Sequence, residues 1–295
     1  MKAKRFLAAL LAVAALLSAR AAAWADGPHQ SRAVIGADLT EEQINAVYGM
    51  FGVPRGSVVE LRVTNAEERQ YLEGYVDEAV IGTRSISSVY VELLDEGDGM
   101  NVSTCNISWC TAEMFISALA TAGITDARIV VAAPFAVSGT AALTGVYKAY
   151  EDMTGRKLDD MAKLVSTQEL TITGELAQEI GNMDSTAIVN ELKLMLQETA
   201  KMSDEEIRQQ IILIAQSYGV NLTDRQIQQL IDLCRSLEGL NPQELRSRVE
   251  EIQGTLRKVS EAKTQVVGFV QTVAKVVRSV KSFFDRLNQL FGWSD

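Results

Sequence analysis

Residues 85–94 read SISSVYVELL and residues 100–108 read MNVSTCNIS, with DEGDG at 95–99 between them. Both runs are rich in residues that suit a pleated strand, and the five residues between them have the composition of a solvated turn. The reading is two strands joined as a β-hairpin. Three acids crowd that turn, but it lacks the spaced ligands and closing glutamate of a calcium loop. Working outward, SVVELRV (57–63) alternates as a strand, and Thr64 or Asn65 opens a helix through NAEERQYLEGYVDEA. A second helix follows at TAEMFISALATAG (111–123), and ARIVVAA (127–133) is a further strand. Residues 57–133 therefore run β-α-β-β-α-β, the order of the split βαβ or ferredoxin-like plan, which many α+β folds share.

Before this unit, DGPHQSRAVIGA (26–37) reads as a loose leader, and LTEEQINAVYGMFGV reads as a helix. Thr40 caps that helix, Gln43 completes a capping box, and Ile44, Val47, Tyr48 and Phe51 share one face. After Gly155 the strand signals stop. Ser203–Glu206 and Thr223–Gln226 repeat the capping box ahead of spaced aliphatics, so residues 157–240 read as a helical bundle. The expected fold class is α+β: a small β-α-β-β-α-β sheet with helices over residues 26–156, the all-α bundle over 157–240, and a long amphipathic helix over 241–295.

That last helix opens at Asn241-Pro242, and its apolar seam recurs at spacings of four and three from Leu245 to Phe291, broken only by Lys263. After Gly268 a further apolar column, Phe269, Val276, Phe283 and Leu290, widens the seam into a broad face. Residues 255–295 carry seven Lys and Arg against three Asp and Glu. A basic helix bearing Phe269, Val276, Lys281, Phe283, Phe284, Phe291 and Trp293 suits an anionic membrane surface or a cell-wall polymer. It can equally pack on its own bundle, or pair with a second copy along the seam.

At the other end, Lys2, Lys4 and Arg5 precede the uncharged run Phe6–Leu17 and the small-residue stretch Ala21-Ala22-Ala23-Trp24-Ala25. This is the three-part pattern of a secretion signal over residues 1–25, with Asp26 first in the mature chain; the run is too short to span roughly 30 Å of hydrocarbon as a helix. The remaining chain is strongly acidic, since four of the 28 basic residues lie in the signal while all 38 acids follow it. Such a charge opposes a phosphate backbone and sets nucleic acid aside as a partner.

His29 is the sole histidine and falls in the leader, which leaves little material for Ser-His or Cys-His catalysis or for a histidine metal site; no cofactor and no metal is expected. GxSxG, HExxH, GxxxxGK[ST] and GxGxxG are all absent. A pair of carboxylates could still work as acid and base, but 38 acids give no way to choose two. Cys105, Cys110 and Cys234 are odd in number; a Cys105–Cys110 disulfide requires a turn at Asn106–Trp109, and buried free thiols are the alternative. The segment AAPFAVSGTAALTG (132–145) leads a strand through small residues into a helix. There Ser138, Gly139 and Thr140 can present hydroxyls and backbone N–H groups to a phosphate or carboxylate, or Ser138 can simply cap the helix.

GADLTEEQINAVYGMFGV, VTNAEERQYL, IGTRSISSVYVEL, the long run NVSTCNIS to VYKAYE, and TGELAQEIG resemble the YpuA-like family of secreted bacterial proteins, a domain of unknown function. The resemblance covers roughly residues 36–240. It implies an extracytoplasmic location, mainly in Firmicutes-type bacteria, and brings no activity or site residues. The expectation is a non-catalytic binding or structural module held at the envelope by its C-terminal helix. The alternative is a cell-wall enzyme or anionic-ligand-binding protein that uses the Ser138–Thr140 turn.

Overall fold

The computed structural model describes residues 30–72 and 81–259. Residues 1–25, read from the sequence as a secretion signal, His29 and the C-terminal positions Phe269, Val276, Lys281, Phe283, Phe284, Phe291 and Trp293 lie outside the described residues. The fold is α+β, with a five-stranded sheet followed by helices. The strands are β1 (Ser31–Gly36), β2 (Val59–Val63), β3 (Ser88–Leu93), β4 (Met100–Ile107) and β5 (Ala127–Val137). Around them come α1 (Glu41–Phe51), α2 (Asn65–Leu72), α3 (Ala112–Ala122) and α4 (Thr140–Thr154). The later helices are α5 (Asp160–Ile180), α6 (Asn182–Leu194), α7 (Leu196–Thr199), α8 (Asp204–Ser217), α9 (Asp224–Leu237) and α10 over 242–259.

Two expectations about the sheet are corrected. The strand order is β2-β1-β3-β5-β4, so a strand from the supposed leader, β1, pairs with both β2 and β3. Its last four residues are buried, as a strand covered on both faces must be. In addition, β3 and β4 do not form a hairpin: β5 lies between them, antiparallel to β3 and parallel to β4. The DEGDG loop is a crossover held over the start of β5 by Asp126, whose Oδ1 accepts from the backbone N–H of Gly97 at 2.9 Å and of Gly99 at 2.8 Å. The ferredoxin-like order is thereby excluded.

On one face of the sheet, Ile44, Val47, Tyr48 and Phe51 of α1 pack on Ala33, Ile35, Tyr90, Val130 and Ala132. Each buried side chain of this size contributes about 2 kcal/mol. The capping boxes at Thr40, Ser203 and Thr223 form as their sequences require. On the other face, Val34, Val89, Val91, Ile129 and Val131 meet α3 and α4. All but the first residue of α3 is buried, because the sheet covers one side and α5 and α6 cover the other. Its polar side is wired into the bundle. Lys193 and Glu169, both fully buried, pair at 2.9 Å; Lys193 also donates to Ser117 Oγ at 2.9 Å, and Thr121 Oγ1 donates to Glu169 Oε2 at 2.5 Å. Leu245 and Val249 of α10 sit in the bundle core, and Ile252 then joins the sheet core. The described part of the C-terminal seam is thus intramolecular.

Candidate functional site

The pairings make β1, β2, β4 and β5 mutually parallel and β3 antiparallel to β1 and β5. Four strands therefore end at one edge, and α1, α2, α3 and α4 start there. Crevices outside the carboxyl ends of parallel strands are the usual ligand positions of such sheets. Here the edge holds a cleft of about 210 Å³. Ile81, Ile86 and Val137 supply apolar wall, Arg84 and Thr83 lie along it, and Glu68, Ser87, Ser138 and Thr140 are its polar lining.

The structure places Ser138, Gly139 and Thr140 together in this cleft, but not as a helix cap. Gly139 is the N-cap of α4 and makes no side-chain cap bond. It has φ +98°, and a Cβ there would stand 2.5 Å from Ile107 Cγ2, so only glycine fits. Ser138 Oγ lies 3.3 Å from Thr140 Oγ1, and Thr140 Oγ1 donates to Glu68 Oε1 at 2.5 Å. The Thr140 hydroxyl is therefore occupied by a carboxyl group, which opposes the anion-binding reading of this turn.

Glu68 is the residue that sequence reasoning missed. It is 1% exposed, in a helix that the sequence predicts without assigning it a buried face. Burial lifts its carboxyl from an ordinary 4.5 to about 7, against the hydrogen bonds of Thr140 and Asn65 and the charge of Arg69, which lower it. α2 is fixed by its own first turn: Thr64 N donates to Glu67 Oε2 at 2.8 Å, and Lys148 of α4 reaches Glu67 Oε1 at 2.5 Å. At the rim, Arg84 donates to the Asp38 carbonyl at 2.8 Å, and the Ser85 N–H to Asp38 Oδ2 at 2.7 Å. Among the described residues the cleft thus offers one carboxyl, two hydroxyls beside it and an apolar wall.

The loop after β4 forms the back of this edge. The Cys110 N–H donates to the Ser138 carbonyl at 3.0 Å, and Ser108 N–H to the Val137 carbonyl at 2.8 Å. Cys105, Cys110 and Cys234 are free thiols, so the Cys105–Cys110 disulfide does not form. The chain does turn at Asn106, whose φ is +57°. That turn puts the two sulfurs on opposite sides of the sheet: Cys105 packs with the α1 core and Cys110 with the α3 core. Burial, and then the nearby Glu68 charge, push the Cys110 thiol far up, which removes it as a nucleophile.

The Ser117–Lys193 contact has the composition of a serine–lysine pair, but Lys193 is fully buried and Ser117 1% exposed. Unlike Glu68, neither side chain lines the cleft. Burial pushes the Lys193 ammonium down from its ordinary range, and Glu169 opposes that shift. Among the described residues, no group of three His, Cys, Asp or Glu could hold a metal ion, and no helix is long and apolar enough to cross a membrane.

The chain is 41% identical over 208 residues to the uncharacterized protein YpuA of Bacillus subtilis (strain 168), covering 69% of this chain and 70% of that protein. No solved structure matches it. The model of a family of proteins of unknown function, DUF1002, matches residues 35–259, which include every strand end that builds the cleft, and the chain belongs to that family.

Proposed function

We propose that this chain is an exported binding protein, not an enzyme, and that it recognises a neutral, hydroxyl-bearing ligand in the Glu68 cleft. The buried Glu68 carboxyl carries the reading. Protonated, it donates and accepts; ionised, it accepts only; in both states it can bridge to a sugar-type hydroxyl alongside Ser138 and Ser87. A free anion would meet the Glu68 charge with the Thr140 hydroxyl already engaged. Catalysis is disfavoured because the Ser138 hydroxyl has a hydroxyl, not a base, as its neighbour, and among the described residues the lining holds no second carboxyl. One observation favours a second reading: a carboxyl titrating near 7 is in the range of a general acid or base, so a single-residue acid–base reaction on a bound ligand is the rival.

The secretion signal at residues 1–25 and the basic residues 255–295 support a place in the cell envelope, with the C-terminal segment as the holding element. The test uses the chain from Asp26 onward, titrated calorimetrically with soluble cell-wall saccharide oligomers. Saturable binding that disappears in Glu68→Leu and weakens in Ser138→Val, without turnover, supports the reading. Binding unchanged by both substitutions, or none to any oligomer, rejects it, and slow ligand cleavage would move it to the catalytic rival. Fractionation of producing cells, with and without residues 260–295, reports separately on the holding role.

A further inference from the structure

The opposite edge of the sheet carries a second cleft. The turns that end α3 and α4 meet the starts of α5 and α10 and enclose about 440 Å³, twice the Glu68 cleft. Arg156, Lys157 and Arg248 line it with Tyr150. The Arg248 guanidinium lies against the α3 end, its Cζ 3.5 Å from where a Cβ on Gly123 would stand, and it pairs with Glu244 at 3.1 Å. Arg156 and Lys157 differ. Neither side chain has an ion pair or hydrogen bond among the described residues, and Lys157 only lies in the field of the exposed Asp160, whose carboxyl Lys163 and then Lys157 lower.

Lys201, Arg257 and Lys258 likewise show no ion pair among the described residues, but they line neither this cleft nor its neighbour, and the chain has 38 acids against 28 bases. Arg32, Arg55, Arg128, Lys148, Arg208 and Arg235 all reach carboxylates. The two acids lining the cleft are already engaged: Asp159 Oδ1 accepts from the Ala162 N–H at 2.8 Å and caps α5, and Glu244 holds Arg248. A neighbouring cleft of about 330 Å³ shares Gly123, Tyr150 and Arg156, so the guanidinium stands where the two meet. Its far end bears Glu96 and Asp126, and Asp126 Oδ1 is occupied by the Gly97 and Gly99 amides.

We propose that this groove is a second binding site, taking a phosphate- or carboxylate-bearing group, with Arg156 and Lys157 as its charge contacts and Arg248 as the third cation. Arginine presents a planar fork matched to both groups and lysine adds a compact charge. The proposal does not depend on the Glu68 cleft.

The test measures tripolyphosphate binding to the chain from Asp26 onward at low salt, and in parallel its co-sedimentation with phosphatidylglycerol vesicles. The variant is Arg156→Gln with Lys157→Gln. Both side chains are exposed and, among the described residues, unbonded, so its melting temperature should match the parent. The control is Arg208→Gln with Arg225→Gln, the same charge change placed on the bundle. Saturable tripolyphosphate binding weakened at least tenfold in the variant and unaltered in the control supports a soluble anion as ligand. The same contrast seen with vesicles alone supports a lipid headgroup. Equal losses in variant and control, or no loss in either, overturn the proposal, as does failure to bind both probes.

Discussion

Replacing Glu68 by Gln keeps the shape of the side chain and removes its titration. In the folded chain the Glu68 carboxyl titrates at about 7, whereas its ordinary value is 4.5. A carboxyl raised on folding favours the native state while it is protonated, so its contribution is complete below about pH 4.5 and is lost as pH rises through 7. At about 1.4 kcal/mol per pH unit, the wild-type chain at pH 8.5 carries a cost of about 3 kcal/mol that the glutamine variant lacks. Thr140 can still donate to the amide oxygen. Urea unfolding of both proteins from pH 4 to pH 8.5 should show near-equal stability at pH 4, a gap opening between about pH 4.5 and 7, and a plateau above. By melting temperature the plateau corresponds to about 6–12 °C. Because every other titrating group is common to both chains, the difference isolates Glu68. A gap that stays constant across this range, or a variant less stable than wild type at pH 8.5, would refute the assignment of Glu68 as a buried carboxyl opposed by its surroundings.

Lys193→Met should cost about 3–5 kcal/mol in urea unfolding, because it leaves Glu169 buried beside Ser117 and Thr121 without its cation, whereas Glu169→Leu with Lys193→Met should recover most of the loss; a single substitution costing under about 1 kcal/mol would contradict the enclosed pair. Gly174→Ala drives a methyl group into the Trp109 indole at Cζ2. It should destabilise by about 1–3 kcal/mol through overpacking, although alanine is ordinarily the better helix former by about 1 kcal/mol. In a Trp109→Leu background the sign should reverse, and persistence of the loss there would mean that the indole is not the obstacle.

The parts of the fold legible in the sequence were those with local causes. Thr40, Ser203 and Thr223 announce their helices because a capping box closes within four residues. The register of α1 is equally visible, since Ile44, Val47, Tyr48 and Phe51 recur at helical spacing. By contrast, β1 is six residues with a near-continuous buried end, lacking the alternation that marks a strand with one wet face. The DEGDG loop has the chemistry of a hairpin tip, and what makes it a crossover is Asp126, nearly thirty positions away in sequence. The same division holds for the site. The Ser138–Thr140 turn shows through its small residues, while Glu68 is one acid among 38, buried by a helix, a turn and a strand end that no local pattern connects.

The burial of α3 on both sides has a consequence for the order in which the chain can become safe from its neighbours. Once β5 is complete at Val137, the sheet can assemble and α3 can lay one side on it, but the partners of the other side arrive only with α5 and α6. Ser117 and Thr121 wait for Glu169, and then for Lys193, 76 and 72 positions further on. A chain emerging amino end first, from a ribosome or through a membrane, therefore passes through a stage in which a nearly finished sheet displays an open apolar helix. Such surfaces recruit chaperones or other copies. Truncation after residue 156 would make that transient stage permanent, and the resulting fragment should aggregate where the longer chain remains dispersed.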